Sequence, residues 1–383
     1  MSYEPLPPFK AWAGPLDAKL VIVGEAFGRS ENEIRKPFVG ESGKELFRML
    51  GEAFPLVAPE LHLEIMGTFK YDRAWVNRRD AWLREASIAF TNTMNFRPYN
   101  NDFKQVCLTK KELPPGYTLP LIETGQYLDP QYFPELERLE EELRVCKPNL
   151  VLCTGAKASW ALLQDTKISQ IRGSVATSTM IEGLKVLATY HPAAVLRKWD
   201  WRPIVIVDLM KASREMHYAE LRRPSRKIIY SPLIDEIEHW VDETIAGPYG
   251  MIGADTETLM GQIEMISFAR ANGSEAISIP FIDKTKEGRS FWQNPENELR
   301  AWNAVAKLLE SDIDVVWQNG LYDLQYILPL GIRARATDDT MLLHHSYLPE
   351  MQKGLGFLGA AYCSEPSWKL MRTRKSDTVK RDE

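Results

Sequence analysis

The sequence predicts an α/β protein of two domains, a parallel sheet over residues 1–218 and a mixed sheet over 228–383, joined by a linker at 219–227. In the first half, short apolar β-branched runs alternate with helical patterns, as parallel strands with crossover helices do. In the second half, after a short strand and a helix, strand patterns follow in close succession and read as a meander. Between the halves, residues 220–227 (ELRRPSRK) are charged, carry a proline and lack apolar periodicity. At 383 residues the chain exceeds what one core usually serves.

Taken in order, residues 20–23 (LVIV) form a buried strand that ends in Gly24 and delivers a loop to the C-terminal edge of the sheet. That loop carries Glu25, Glu31 and Glu33, at the place where open α/β sheets hold their ligands. Leu46, Met49 and Leu50 then mark an amphipathic helix. The stretch 51–87 is mixed, with helical patches near Trp75 to Glu85. Residues 88–91 make a second strand, running into Asn92 and the stiff Arg97-Pro98-Tyr99 loop. Residues 109–131 read as a connection, 134–145 as an amphipathic helix, 149–154 as a third strand and 156–163 as a helix. Residues 186–190 make a fourth strand, opening onto His191-Pro192.

These strand ends bring Glu25, Asn92, Gly155 and His191 towards one edge. Pro37-Phe38-Val39-Gly40 sets a ring on a rigid turn, either as core or as a wall against a planar base. Asn92 either caps its turn or offers a donor and an acceptor to a uracil-like edge. His191 is a satisfied polar residue or a catalytic one. Arg97 places a cation where it can meet a phosphate backbone.

Composition narrows the class. A hydrophobic content of 44% with 26% charged residues is ordinary for a globular protein. No apolar run reaches the length of a membrane span, and residues 1–10 lack the order of a signal peptide, so an intracellular protein without a membrane partner is expected. A net charge of −5 excludes a uniformly basic coat and leaves room for local grooves such as the one around Arg29, Arg35, Lys36 and Lys44. Cys107, Cys146, Cys153 and Cys363 are scattered without a C-x-x-C pair and read as reduced structural thiols.

In order and spacing, Gly24-Glu25-Ala26, Glu31, Lys36-Pro37-Phe38-Val39-Gly40, Thr91-Asn92 with Arg97-Pro98, Gly155-Ala156 and His191 through Arg197 resemble the uracil-DNA glycosylase superfamily. The likeness spans about residues 15–212 and is nearest to the bacterial and archaeal branch with an iron-sulfur cluster (family 4). The resemblance implies a three-layer fold in which Phe38 stacks on a flipped uracil and Asn92 reads its polar edge. It also implies that Glu25 and Glu31 lie near the attacking water, that His191 stabilises charge on O2 of the leaving base, and that Leu196 and Arg197 wedge into the duplex. Phe96 stands where that branch has a cysteine, there is no N-terminal cysteine pair, and Phe27 replaces a proline. No iron-sulfur cluster is therefore expected.

In the second half, residues 228–230 read as a short strand and 234–244 as a helix. Residues 251–254 run into Asp255-Thr256-Glu257, whose carboxylates share one strand face and suit a divalent cation. Residues 263–268 and 276–280 continue the meander. A strand at 315–319 then leads through Asn319 and Tyr322 to Asp323, a third candidate metal ligand, and residues 338–341 follow a further short strand and start a helix that runs through 342–347. D-x-E at 255–257 and N-x-x-Y-D at 319–323 resemble the first two motifs of the DnaQ-like 3'-5' exonuclease domain of family A (phage-type) DNA polymerases.

That resemblance implies an RNase H-like fold, Mg²⁺ or Mn²⁺ held by Asp255, Glu257 and Asp323, and DNA contacts from Asn319 and Tyr322 at single-stranded or frayed 3' ends. The third motif, Y-x-x-x-D, is absent by Glu383, so the rest of a polymerase chain or a separate subunit is an expected partner. The combined expectation is a DNA repair or replication enzyme of the bacterial or phage-infected cytoplasm, joining uracil recognition or excision to proofreading. The competing expectation is a non-catalytic DNA-binding module of a polymerase.

Overall fold

The computed structural model describes residues 5–68, 72–283, 285 and 290–363. They form two units, one of residues up to 222 together with 356–363, the other of 223–355.

The first unit is built on β1 (Leu20–Ala26), β2 (Ile88–Met94), β3 (Cys107–Thr109), β4 (Gln126–Leu128), β5 (Leu150–Thr154), β6 (Val175–Thr177) and β7 (Lys185–Thr189). Its main sheet has the order β2-β1-β5-β7-β6, parallel except for β6 at one edge, while β3 and β4 form a separate antiparallel pair. The apolar runs predicted as strands are fully buried, as a sheet covered on both faces requires. Because β1, β2, β5 and β7 run the same way, their C-terminal ends share one edge, with Gly24 level with Asn92 and Thr154 level with Thr189.

The helices at Glu41–Ala53, Arg73–Glu85, Phe133–Cys146, Ala156–Leu163 and Arg202–Glu215 supply the crossovers and cover. Residues 51–87, mixed in the sequence reading, also contain a helix at Pro59–Met66. Strand β6 and the pairing of β4 within 109–131 had no pattern of their own, being three residues each.

Helix Leu355–Tyr362 follows the second unit along the chain, yet from Gly356 on it packs with the first. Lys211 Nζ donates to the carbonyls of Gly173 and Ala360, each at 2.7 Å, and to that of Cys363. The Arg172 guanidinium sits 4.8 Å over the ring of Phe357. The sequence reading placed this segment with the second domain, within the stretch of about 225–370 that resembles the exonuclease domain.

The second unit comprises β8 (Lys227–Tyr230), β9 (Met251–Leu259), β10 (Gln262–Arg270), β11 (Glu275–Pro280), β12 (Asp314–Trp317) and β13 (Asp338–Asp339). The order is β13-β12-β9-β10-β11-β8, in which β9, β10 and β11 form an antiparallel meander and β12 and β13 run parallel to β9. Ile237, Trp240 and Val241 of helix Ile234–Ala246 and Ala301, Val305 and Leu308 of helix Pro295–Leu309 share a core with Ile252, Phe268 and Ile277 of the sheet. Among the described residues no helix is long and apolar enough to cross a membrane.

Candidate functional site

At the C-terminal edge of the first sheet lies a cavity of about 290 Å³, lined by Glu25, Glu31, Phe38, Asn92, His191 and Arg197 among others. Gly24 makes the close packing there possible: a Cβ on it would stand 2.2 Å from Asn92 Oδ1 and 2.8 Å from Phe38 Cζ. Gly155 does the same for the fourth strand end. Its φ is +88°, and a Cβ would come within 2.9 Å of the Cβ of His191.

Phe38 is buried and holds a left-handed backbone, φ 51°. A bulky residue adopts that region only where its surroundings enforce it. Arg79 does so, donating from Nη1 to the carbonyls of Pro37 (2.8 Å) and Phe38 (2.9 Å) while pairing with Asp80. The Phe38 ring meets Phe90 edge-on at 5.2 Å and lies near-parallel to the His191 ring at 6.4 Å.

Glu31 accepts from the peptide N–H of Val39 (3.1 Å) and of Gly40 (2.7 Å), so its carboxylate braces the loop behind Phe38. Glu25 lies half-buried on the cavity wall. Burial pushes its pKa up, and the nearby cations Lys157 and Arg197 pull in the other direction.

Asn92 is 2% exposed, and its Nδ2 has no hydrogen-bond partner. An orphaned buried donor costs about 1–3 kcal/mol, and Asn92 is among the residues that line the cavity. The Asn92 backbone is fixed by Arg138, whose Nη2 donates to the carbonyls of Asn92 (2.7 Å) and Thr93 (3.1 Å). Arg138 is in turn held by Glu135 and Glu142, both buried.

His191 Nδ1 accepts the peptide N–H of Ala193 at 3.1 Å, which leaves its proton on Nε2. Burial, aided by Arg197, pushes its pKa down to about 4, so the ring is a neutral donor at physiological pH.

Sequence reasoning brought Glu25, Glu31, Phe38, Asn92 and His191 together, and the structure gathers all five. Arg197 lines the cavity, Leu196 is exposed on the same short helix Pro192–Arg197, and Arg97 is exposed on the loop after β2. Missed were Arg79 and Arg138. Their signal was spacing: Arg79 falls on the helical face of Trp75 and Trp82, and Arg138 on that of Glu135 and Glu142.

The cysteines do not fit an iron-sulfur cluster. Cys146 and Cys153 are buried, burial raises the pKa of Cys107, Cys146 and Cys153, and Phe96 lies flat against the Tyr132 ring at 5.3 Å.

In the second unit Asp255 and Glu257 share the exposed face of β9, and Thr256 between them points into the core. Asp323 is buried, and its Oδ1 accepts from both the peptide N–H (2.9 Å) and the hydroxyl (2.6 Å) of Thr256. Burial pushes its pKa up, against these hydrogen bonds. The Tyr322 hydroxyl lies 2.7 Å from Thr258 Oγ1, and the Asn319 N–H donates to Asp339 at 3.1 Å.

Asp255, Glu257 and Asp323 are the residues the sequence offered as a metal set. Among the described residues no three of His, Cys, Asp or Glu form a group that could hold a metal ion. Asp323 turns Oδ1 to Thr256, whose side chain faces away from Asp255 and Glu257 on β9.

The sequence model of the Uracil DNA glycosylase superfamily matches residues 11–212, which contain every cavity residue named above. The chain is 29% identical over 185 residues to the type-4 uracil-DNA glycosylase of Archaeoglobus fulgidus, covering 47% of this chain and 67% of that one. It is 25% identical over 203 residues to the Thermotoga maritima type-4 enzyme, covering 52% and 78%. A crystal structure of the EXD2 exonuclease domain soaked in Mn and GMP matches 41% of this chain and 78% of its own at 15% identity and a TM-score of 0.23.

Proposed function

Because the chain belongs to the uracil DNA glycosylase superfamily, we propose that its first unit takes an unstacked uracil of DNA into the cavity and breaks the bond between base and sugar. The observation that carries this reading is the buried, unpartnered Nδ2 of Asn92 beside the Phe38 ring and the neutral His191. A uracil lying on Phe38 offers O4 to that donor and O2 to the Nε2–H of His191.

The C1'–N1 bond then breaks with its electron pair passing to the base, and the charge on O2 is met by a donor already in place. Water adds to C1', and its proton goes to the Glu25 carboxylate. Glu31 supports the reaction by holding the Phe38 loop. No metal takes part in these steps.

The second unit is proposed as an exonuclease-like domain on two grounds. Its meander β11-β10-β9 continues into parallel β12 and β13, and it holds D-x-E and N-x-x-Y-D beside each other on β9 and helix Leu321–Ile327. With Asp323 committed to Thr256, we assign it no hydrolytic step and read it as a module that holds DNA. A polymerase chain or subunit is the partner that such a module fits.

The test is release of free uracil from a single-uracil strand by the parent and by Asn92→Ala. Removing a donor aimed at the reacting base lowers the rate on the order of 10²–10³-fold. Release unchanged by Asn92→Ala contradicts the assignment.

A further inference from the structure

Next along the chain to residues that line the cavity stand two exposed aromatic side chains that the base-excision chemistry does not use. Tyr99, 75% exposed, lies between Pro98 and Asn101, both of which line the cavity. Its turn is rigid, with Pro98 before it and Asn100 and Asn101 both left-handed at φ 51° and 59°. Trp199, 58% exposed, follows the cavity-lining Arg197 by two residues, beyond strand β7, which β1 and β5 separate from β2 in the sheet.

Trp199 is built into its position. The neighbouring Trp201 anchors the turn by stacking on Tyr190 at 4.1 Å. The Arg202 guanidinium lies 5.3 Å from the Trp199 ring and is itself pinned by Glu45 (2.7 Å) and Glu52. A surface tryptophan so fixed, and still more than half exposed, is a preformed stacking plane. Arg97, Arg197 and Lys198, all exposed, put positive charge beside the two rings.

Rigid aromatic faces interleaved with cations are what a single nucleic-acid strand requires: bases stack on the rings while phosphates meet the cations. Stacked duplex bases cannot use such rings, whereas the nucleotides on either side of an unstacked target base can. We propose that Tyr99 and Trp199 are base-stacking platforms for the nucleotides flanking the target base, which fit the cavity to single-stranded or splayed DNA. The platforms presuppose the base-excision reading of the cavity, and the experiment separates the two.

Binding of a uracil-free, fluorescently labelled single strand is measured in EDTA by anisotropy for the full chain and for Tyr99→Ala, Trp199→Ala and Trp199→Phe. A strand of abasic residues of equal length serves as the control. Each alanine variant is expected to weaken single-strand binding roughly tenfold, with Trp199→Phe recovering most of it and the abasic strand indifferent to all three. Alanine variants that bind within about twofold of the parent, or a parent that binds the abasic strand equally well, overturn the platforms. Neither outcome depends on base release, so a chain that binds as expected yet frees no uracil refutes the excision reading and leaves the two rings as contacts for a single strand.

Discussion

Glu25 and His191 are displaced from their usual titration ranges by one cause, burial at the cavity wall, and in opposite directions. Burial disfavours the charged form of each, so the carboxyl holds its proton to higher pH and the imidazole gives its proton up at lower pH. A base that must be ionised loses function as pH falls through its raised pKa, and the acid limb of the rate profile is expected above the usual carboxylate range. His191, at about 4, adds no limb near neutrality. Glu25→Gln should abolish that limb along with most of the rate.

The sign for stability follows from the same displacement. A carboxyl whose folded pKa is raised favours the folded state when protonated, so ionised Glu25 costs stability above its unfolded pKa. Glu25→Gln should therefore raise the melting temperature at neutral pH, with the gain vanishing in acid. A variant no more stable than the parent at neutral pH contradicts the burial argument. The residue types of this site were legible because four strands end there; their protonation states were not, because burial is a property of the assembled cavity.

At the scale of elements, two helices reach the site through buried arginines. Helix Arg73–Glu85 sends Arg79 to the carbonyls that hold Phe38, and helix Phe133–Cys146 sends Arg138 to those of Asn92 and Thr93. Each removes a penalty that the strand ends would otherwise carry, since a buried carbonyl without a donor is costly. Replacing Arg138 by leucine leaves Glu135 and Glu142 buried and without this partner, and a loss of about 3–5 kcal/mol in chemical denaturation is expected. A loss below about 1 kcal/mol would mean the network does not hold the element.

The elements themselves were largely legible: the runs at 20–23, 88–91 and 150–154 are strands because continuous β-branched apolar residues suit a sheet covered on both faces. Strand β6 was not, having three residues and a partner supplied only by the fold.

For the whole molecule, the chain enters the second unit through the exposed residues 222–226 and its helix Leu355–Tyr362 packs with the first. Limited proteolysis should cut first in 219–226, where the described backbone lies outside any helix or strand. The two fragments should still co-elute without denaturant, because the helix after the second unit stays fixed by Lys211 and Arg172. Fragments that separate on native gel filtration contradict that packing. The break near residue 220 was visible as a run of charge and proline. The return of residues 356–362 was not, since it depends on three carbonyls finding one buried lysine.

A labelled DNA strand with one uracil, incubated in EDTA and then in Mn²⁺, distinguishes base excision from strand shortening in a single gel after alkali treatment. The cavity chemistry derived from Glu25, Asn92 and His191 predicts alkali-sensitive cleavage at the uracil in EDTA, unchanged by Mn²⁺. An intact strand in EDTA, or cleavage that appears only with Mn²⁺, would contradict it.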